Sequence, residues 1–392
     1  MDIFAKCFEF ETAKEAIKQG FYPYFIPLNE NEGTEVLYQG KRLIMCGSNN
    51  YLGLTTHPKV KEAAKAAVDR FGTSCTGSRF LNGTLAMHEQ LESELADWVG
   101  MDAALIFSTG MQTNLGTISA LVGRDDIVIL DKDDHASIVD GARLGYGKIE
   151  RYRHNDVEHF QRVLESLPEQ AGKLVVMDGL FSMEGDLADL PHLVPIARKY
   201  GARIMVDDAH GMGVLGKGRG TVAHWGMTDQ IDVVMSTFSK SFASRGGFIA
   251  GQRDVVHYIK HHARSLIFSA SIPASNAASA LAALQVMREE PERIERVNEI
   301  GRRMRAGYQS LGFDIGKSET PVVPIIIGDD MKTFLFWKSL FENGVFVNPV
   351  ISPAVAPGHQ LIRTSYMATH TDDQLDRVLE VFGRVGKELG II

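Results

Sequence analysis

The 392-residue chain has few of the features that mark secreted, membrane or nucleic-acid-binding proteins. It has only three cysteines, Cys7, Cys46 and Cys75, which form no Cys-x-x-Cys pair, so neither a disulfide framework nor a structural zinc site is expected. No apolar run approaches the roughly 20 residues of a membrane span, and segment 1–20 has no apolar signal core. The net charge of −8 gives no reason to expect nucleic acid as a partner. A reducing, cytoplasmic location is therefore expected.

The composition, with 44% apolar and 23% charged residues, is that of a globular protein, and the length allows more than one domain. We predict an N-terminal arm over residues 1–45, a large domain over 46–285 and a smaller α+β domain over 286–392. The smaller domain is expected to contain strands at Val322–Ile327, Val345–Val350 and Leu361–Tyr366, and a closing helix capped by Thr371.

In the large domain, short apolar runs alternate with helical stretches. Most runs have apolar residues on both strand faces, which is typical of strands buried on two sides. This pattern predicts an α/β fold with a mainly parallel sheet between helices, in which ligands bind beyond the carboxyl ends of the strands. The predicted strands are Ala103–Phe107, Ile127–Leu130, Leu174–Met177, Arg203–Val206, Val233–Met235 and Gly247–Ala250.

Two of these strand ends carry a lysine and an acid. Lys240 follows the run Ile231–Met235, and Asp207 directly follows the run 203–206. This pairing is what pyridoxal phosphate requires, because the lysine forms a Schiff base and the carboxylate keeps the ring nitrogen protonated. His210 is placed to bond the phenolic oxygen of the ring.

Other readings of these residues remain open. A surface lysine and an ordinary loop acid would explain Lys240 and Asp207 separately, although their joint order is hard to obtain by chance. Acids and histidine at short spacing also suit metals, so Asp207, Asp208 and His210 allow a metal-dependent hydrolase. We favour that less, because the sequence shows no further ligand cluster, and no metal is expected.

Further polar residues follow other predicted strands. Gly110 lies where a strand meets a helix, and the first backbone N–H groups of such a helix suit a phosphate. Thr237 and Ser239 can donate to the same phosphate. His135 follows the run 127–130, which supports an imidazole stacked on the cofactor. Arg363, on a strand of the smaller domain, is a candidate clamp for a substrate carboxylate.

Together these motifs resemble the α-oxoamine synthases, the acyl-CoA-dependent branch of the fold-type I pyridoxal phosphate enzymes. The resemblance covers about residues 45–370. It implies an aspartate aminotransferase-like transferase fold. The motifs are Asn-Tyr-Leu-Gly at 50–53, Gly-Ser-Arg at 77–79, Asn-Gly-Thr at 82–84, Asp-x-x-x-His-Ala-Ser at 131–137, Asp-Gly-x-Phe-Ser-Met-Glu-Gly at 178–185, Val-Asp-Asp-Ala-His-Gly at 206–211 and Thr-Phe-Ser-Lys at 237–240.

The resemblance implies a role for each matching residue. Ser269 and Ala270 would reach the phosphate from the second subunit of a homodimer. Arg245 departs from the small or apolar residue expected at its position. The remaining roles are Lys240, Asp207 and His210 on the cofactor, His135 on the ring and the substrate carboxylate, Ser182 near the cofactor, Gly110, Met111 and Thr237 on the phosphate, and Asn50 and Arg363 on the amino acid or acyl donor.

Within the family, several stretches favour the members that use L-serine and a long-chain acyl thioester. These release 3-oxosphinganine, carbon dioxide and free thiol in the first step of sphingolipid synthesis. Glycine C-acetyltransferase and 8-amino-7-oxononanoate synthase share most of the frame and remain alternatives. The donor, coenzyme A or carrier protein, stays open, as does contact with the inner membrane surface. The discriminating stretches are 22–25, 33–36, 47–54, 79–84, 266–271 and 347–350.

Overall fold

The computed structural model describes residues 2–31, 33–352 and 354–392. Its strands are β1 Glu30–Asn31, β2 Glu35–Tyr38, β3 Lys41–Met45, β4 Ala103–Phe107, β5 Asp126–Asp131, β6 Lys148–Tyr152, β7 Gly172–Asp178, β8 Arg203–Asp207, β9 Val233–Thr237, β10 Gly247–Gly251, β11 Val322–Ile326, β12 Val345–Phe346, β13 Asn348–Val350 and β14 Leu361–Ser365.

The helices range in length from 4 to 20 residues. They are α1 Ala5–Phe8, α2 Thr12–Gln19, α3 Pro58–Phe71, α4 Ala86–Val99, α5 Gly110–Leu121, α6 Ala136–Leu144, α7 Val157–Glu165, α8 Leu190–Lys199, α9 Thr221–His224, α10 Arg253–His262, α11 Arg264–Ile267, α12 Ala274–Glu289, α13 Glu292–Leu311, α14 Asp330–Glu342 and α15 Asp372–Glu388. In the described ranges, no helix is both long and apolar enough to cross a bilayer.

The chain divides into two compact units. The larger contains residues 49–300 and 367–369, and the smaller contains 1–48, 301–366 and 370–392. These boundaries differ from the predicted ones at 45 and 285. The N-terminal segment groups with the C-terminal one because β12 pairs in parallel with β3. Residues 286–300 belong to the larger unit, where the Asn298 side chain donates to the Val214 carbonyl at 2.7 Å. The three-part division therefore stays a prediction.

The larger unit is built on a sheet of order β4-β10-β9-β8-β7-β5-β6. Strands β9, β8, β7, β5 and β6 are parallel, whereas β10 is antiparallel to both β4 and β9. The mainly parallel sheet is thus confirmed. Strand β6 escaped the sequence analysis because Lys148, Glu150 and Arg151 make this edge strand polar.

Helices cover both faces of this sheet. On β5, Val128 and Leu130 join a buried cluster with Ile118 of α5 and Ile138 of α6. Ile129 lies between them on the opposite strand face and is also fully buried. Burial on both faces explains why the run has no polar alternation.

The smaller unit contains the sheets β1-β2-β3-β12 and β11-β14-β13. Gln39 and Gly40 both have positive φ between β2 and β3, as a type I′ hairpin turn requires. The predicted strand 345–350 is divided at Val347 into β12 and β13. The predicted cap of α15 is confirmed, because the Thr371 side chain accepts from the Gln374 N–H.

Candidate active site

The sheet brings the predicted lysine and acid to the same edge. Strands β8 and β9 are parallel neighbours, with Asp207 opposite Met235, so both carboxyl ends open on one side. There Asp207 and Lys240 line a cavity of about 360 Å³. The predicted cofactor residues that line it with them are His135, His210, Gly110, Met111, Ser182, Thr237 and Ser239.

Lys240 sits in a turn held by buried aromatic side chains. Phe238, Phe242 and Phe248 of β10 are fully buried and pack on one another at ring-centroid distances of 5.3–6.0 Å. The Phe238 N–H donates to the Gly246 carbonyl at 2.9 Å. Gly246 has φ +138°, and a Cβ there would lie 2.6 Å from Phe238 Cδ2, so this position favours glycine. The turn therefore presents Lys240 at the cavity wall from an anchored base.

Asp207 is held by two donors. Asn114 Nδ2 donates to its Oδ2 at 2.6 Å, and the Ala209 N–H donates to its Oδ1 at 3.1 Å. Asp178, at the end of β7, lines the same cavity. Its pKa is raised well above the usual range by burial and by the nearby charge of Asp207. The carboxylate of Asp207 therefore has a fixed orientation in a buried part of the cavity wall.

Asp208 has different surroundings from its neighbour. Its Oδ1 accepts from the Thr221 hydroxyl at 2.8 Å, and its Oδ2 accepts from the Val222 N–H at 3.3 Å. Burial raises the pKa of Asp208 to about 6. These contacts direct its carboxylate toward α9, so Asp208 does not join Asp207 and His210 in a ligand set. The metal-hydrolase alternative therefore has no geometric support.

His135 is fixed in the loop between β5 and α6. Its backbone N–H donates to Asp178 Oδ2 at 2.7 Å, and its Nδ1 accepts from the Ser137 N–H at 3.2 Å. Burial lowers the pKa of His135; the carboxylate of Asp207 opposes this shift and Lys240 reinforces it. His135 is therefore a neutral imidazole at pH 7, which suits stacking on an aromatic cofactor.

His210 is oriented by Tyr51, whose role the sequence analysis missed. The Tyr51 hydroxyl lies 2.7 Å from His210 Nδ1, and both side chains are buried. A partner on Nδ1 leaves Nε2 as the other polar atom of the ring. Since His210 lines the cavity, Tyr51 helps to fix the orientation in which it does so.

One end of the cavity has the features of a phosphate cradle. Helix α5 begins at Gly110, and its N-cap Thr109 accepts from the Gln112 N–H. The N–H groups of Gly110 and Met111 are in the first turn, where no acceptor exists within the helix. A Cβ on Gly110 would lie 2.8 Å from Thr237 Oγ1. The absence of that Cβ leaves room for a phosphate beside a hydroxyl and a helix N-terminus, so this end fits pyridoxal phosphate.

Four predicted residues lie outside the set that lines the cavity. Ser269 accepts from Gln112 Nε2 at 2.8 Å, and the Ala270 carbonyl accepts from the Ser108 hydroxyl at 2.5 Å. Asn50 Nδ2 donates to the Thr55 hydroxyl at 2.8 Å. Arg363 belongs to the smaller unit, where it is buried on β14. Their roles stay predictions.

The cavity also contains residues to which the sequence analysis gave no role. Arg245, noted as a departure from the family pattern, lines the wall, as do Ser137 and Asp178. Asn114 is fully buried on α5 and contacts Asp207. Its signal was an amide four residues after Gly110 in a helix that packs on the sheet.

A separate acidic group lies behind the β5–α6 loop. Ligand atoms of Asp131, Asp133 and His154 lie within 4.8 Å of one another. His154 Nδ1 is 3.1 Å from Asp131 Oδ1, and its Nε2 is 2.9 Å from Asp186 Oδ2. Burial opposes protonation, but these hydrogen bonds raise the pKa of His154 to about 10. A protonated imidazole offers no lone pair to a metal, so the group is an ion-paired clamp.

Comparison with known proteins agrees with this geometry. The family described as aminotransferase class I and II matches residues 41–382. The chain belongs to this family. It is 50% identical to a serine palmitoyltransferase of Sphingobacterium spiritivorum, over 97% of this chain and 96% of that protein. It is 40% identical to an 8-amino-7-oxononanoate synthase of Alkaliphilus metalliredigens, over 97% of each.

Comparison with a solved structure extends the similarity to the whole chain. A serine palmitoyltransferase variant from S. paucimobilis, with a bound PLP–myriocin aldimine, is 37% identical and superposes with a TM-score of 0.97 over 100% of both chains. The predicted fold-type I transferase fold is thereby confirmed. The resemblance to the α-oxoamine synthases is likewise confirmed.

Proposed function

We propose that the chain catalyses the decarboxylative condensation of L-serine with a long-chain acyl thioester, with pyridoxal phosphate as cofactor. The products are 3-oxosphinganine, carbon dioxide and free thiol, the first step of sphingolipid synthesis. The observation that carries the proposal is the meeting of Lys240, Asp207 and His135 in one cavity. Its substrate assignment is supported by 50% identity to a serine palmitoyltransferase over nearly the whole chain.

Different residues of the cavity would hold different parts of the cofactor. Lys240 Nζ would form the covalent link, and the first turn of α5 at Gly110 and Met111 would hold the phosphate with Thr237. Ser239 and Ser182 line the same cavity. When bound, pyridoxal phosphate supplies an electron sink that stabilises a carbanion at the substrate Cα.

The polar side chains of the cavity would take part in this reaction through hydrogen bonds or proton transfer. Asp207, which Asn114 holds in place, would keep a proton on the pyridine nitrogen. His210 would hydrogen-bond the phenolic oxygen. Neutral His135 would stack on the ring and, because its Nδ1 accepts from the Ser137 N–H, its Nε2–H would be available for the serine carboxylate. Lys240 would act as the general base that removes the Cα proton of serine.

Arg363 and Asn50 complete the proposed substrate site. The guanidinium of Arg363 is proposed to bind the serine carboxylate bidentately, and Asn50 to contact the amino acid or acyl donor. Replacing Arg363 by alanine is expected to weaken serine binding about tenfold to a hundredfold, since a charge-assisted contact is lost. The visible band of the bound cofactor should persist. Arg377→Ala, an exposed change on α15, is the matched control; equal serine affinity in both variants would place the clamp elsewhere.

We further propose a homodimer in which Ser269 and Ala270 reach the phosphate of the second subunit. The neighbouring Phe268 is 73% exposed and Leu81 is 77% exposed in the single chain, as expected of side chains that a second copy covers. The location is proposed as cytoplasmic, with peripheral contact with the inner membrane surface where the long-chain product leaves.

Product analysis tests the proposal directly. The cofactor-loaded protein is incubated with serine, glycine or alanine and with acyl-CoA donors of increasing chain length, and products are identified by mass spectrometry. Serine with a long-chain donor should give the 3-oxosphinganine-type product and carbon dioxide. Preferred turnover of glycine with acetyl-CoA would replace the proposal by glycine C-acetyltransferase. Preferred turnover of alanine with a carboxyacyl donor would favour the activity of an 8-amino-7-oxononanoate synthase. The chain is 40% identical to one protein of that name.

A further inference from the structure

We infer that Asn114 is a positioning residue that couples Asp207 to His135 through the hydroxyl of Ser137. The inference rests on the proposed function, which assigns Asp207 to the ring nitrogen and His135 to the ring face. It adds Asn114 and Ser137 as residues that act through these two.

The four side chains form a continuous hydrogen-bonded chain. Asn114 Nδ2 lies 2.6 Å from Asp207 Oδ2 and 2.8 Å from Ser137 Oγ. Ser137 Oγ lies 2.7 Å from His135 Nδ1. Asn114, Ser137 and Asp207 are 0%, 2% and 3% exposed. His135, Ser137 and Asp207 line the cavity, whereas Asn114 lies behind them, and the burial of these side chains limits competition from water.

The direction of every hydrogen bond in this chain can be assigned. At one end, the Asn114 amide nitrogen donates to Asp207 Oδ2 at 2.6 Å. At the other end, the Ser137 backbone N–H donates to His135 Nδ1 at 3.2 Å, so Nδ1 has no proton. The Ser137 hydroxyl must then donate to Nδ1 and accept from Asn114. Neutral His135 is consequently the tautomer with its proton on Nε2.

The other amide atom of Asn114 shows why the residue is present. Asn114 Oδ1 is buried and has no hydrogen-bond partner among the described residues. A buried acceptor without a partner is unfavourable, and an apolar side chain of similar size would avoid that loss. The two donors of the amide therefore account for asparagine at this position. One donor orients the Asp207 carboxylate, and the other holds the hydroxyl that sets the His135 tautomer.

Nitrogen NMR of the cofactor-loaded protein tests the assigned direction. The protein is labelled with ¹⁵N-histidine, and the His135 signals are assigned by their loss in His135→Gln. We expect an unprotonated Nδ1 and a protonated Nε2. A protonated Nδ1 would overturn the inference, because the chain would then run in the opposite sense. This measurement needs no substrate and no turnover.

A double-mutant cycle tests the coupling. Asn114→Ala and Ser137→Ala should each slow exchange of the serine Cα–H by about tenfold to a hundredfold. The first variant loses the hydrogen bond to the Asp207 carboxyl group, and the second loses the hydroxyl that links Asn114 to His135. The double variant should be no slower than the more severe single variant. Multiplication of the two effects would mean independent structural damage and would overturn the coupling.

A matched control comes from the same helix. Thr117 is fully buried on α5, and its hydroxyl has no hydrogen-bond partner among the described residues, so Thr117→Val should exchange serine as the wild type does. Should Asn114→Ala fail to fold, Ser137→Ala and its rescue by Ser137→Thr carry the test. Faster serine exchange in Ser137→Thr than in Ser137→Ala supports the inference, and an equal loss of exchange rate in the two variants opposes it.

The outcomes separate this inference from the proposed function. A wild-type protein that exchanges no serine Cα–H refutes the proposed function, while the tautomer of His135 is still decided by NMR. A wild type that exchanges serine, with Asn114→Ala and Ser137→Ala as active as Thr117→Val, refutes the positioning role alone.

Discussion

Asp208 gives a sharp test of the local electrostatics, because it adjoins a proposed catalytic acid but faces another environment. Its carboxylate is enclosed by Thr221, Val222 and Gly220, where a Cβ on the glycine would lie 2.1 Å from Asp208 Oδ2. In Asp208→Asn, the amide oxygen can accept from the Val222 N–H and the amide nitrogen can donate to the Thr221 hydroxyl. The variant therefore removes the charge and keeps these two contacts.

The expected gain follows from the pKa of Asp208. Burial raises it from 3.8 to about 6. A raised pKa means that the folded protein disfavours the carboxylate, so the penalty is full above pH 6 and disappears below pH 3.8. The shift corresponds to about 3 kcal/mol. Weakening one charge-assisted hydrogen bond costs about 1 kcal/mol of this. Asp208→Asn should thus raise the free energy of unfolding by about 2 kcal/mol at pH 8.

Urea unfolding of the cofactor-saturated proteins at pH 8 and pH 4.5 measures this difference. The gain of Asp208→Asn over wild type should shrink toward zero at the lower pH, while serine Cα–H exchange stays within about threefold of wild type. Asp229→Asn removes an exposed acid and should show no such pH dependence. A stability loss at pH 8, or a gain that is the same at both pH values, would refute the reasoning.

Other predictions concern the cavity directly. Lys240→Ala should lose the visible cofactor band and turnover together, whereas the exposed Lys260→Ala should keep both; near-wild-type activity would remove Lys240 from its role. Asp207→Asn should stay folded but slow serine Cα–H exchange by at least about a hundredfold, as expected when a positioned proton partner is lost; an unchanged exchange rate would exclude it as the ring partner. Gly110→Ala should weaken cofactor binding in a spectroscopic titration, since its Cβ would meet Thr237; unaltered affinity would place the phosphate elsewhere.

Local patterns in the sequence predicted much of the fold. An apolar face that ends at Gly100 predicts a helix at about 86–99, and α4 has these bounds, with Gly100 in a left-handed conformation. Strand Ala103–Phe107 was also predicted as observed. The charged segment near the N-terminus predicts a helix at about Glu9–Gln19, whereas α2 covers Thr12–Gln19. Its mostly exposed side chains make its periodicity a weak boundary signal.

Contacts between distant residues could not be predicted in the same way. Tyr51 meets His210 across 159 positions and Asn114 meets Asp207 across 93. Periodicity reports which face of an element is buried, but not which polar group it meets there. Tyr51 lies inside a motif that the sequence analysis quotes, but its contact with His210 gives no signal in the sequence.

The division of labour between Asp207 and Asp208 is the exception, because strand geometry alone accounts for it. Successive side chains of a strand point to opposite faces. Met205, two residues before Asp207, belongs to the buried cluster that includes Ile118 of α5. Asp207 therefore faces α5, which carries the predicted phosphate turn, and Asp208 faces the other way. The contacts with Asn114 and with Thr221 follow from that alternation. An acid pair at a strand end can thus be resolved into a cavity acid and a buried structural acid from its register with neighbouring apolar residues.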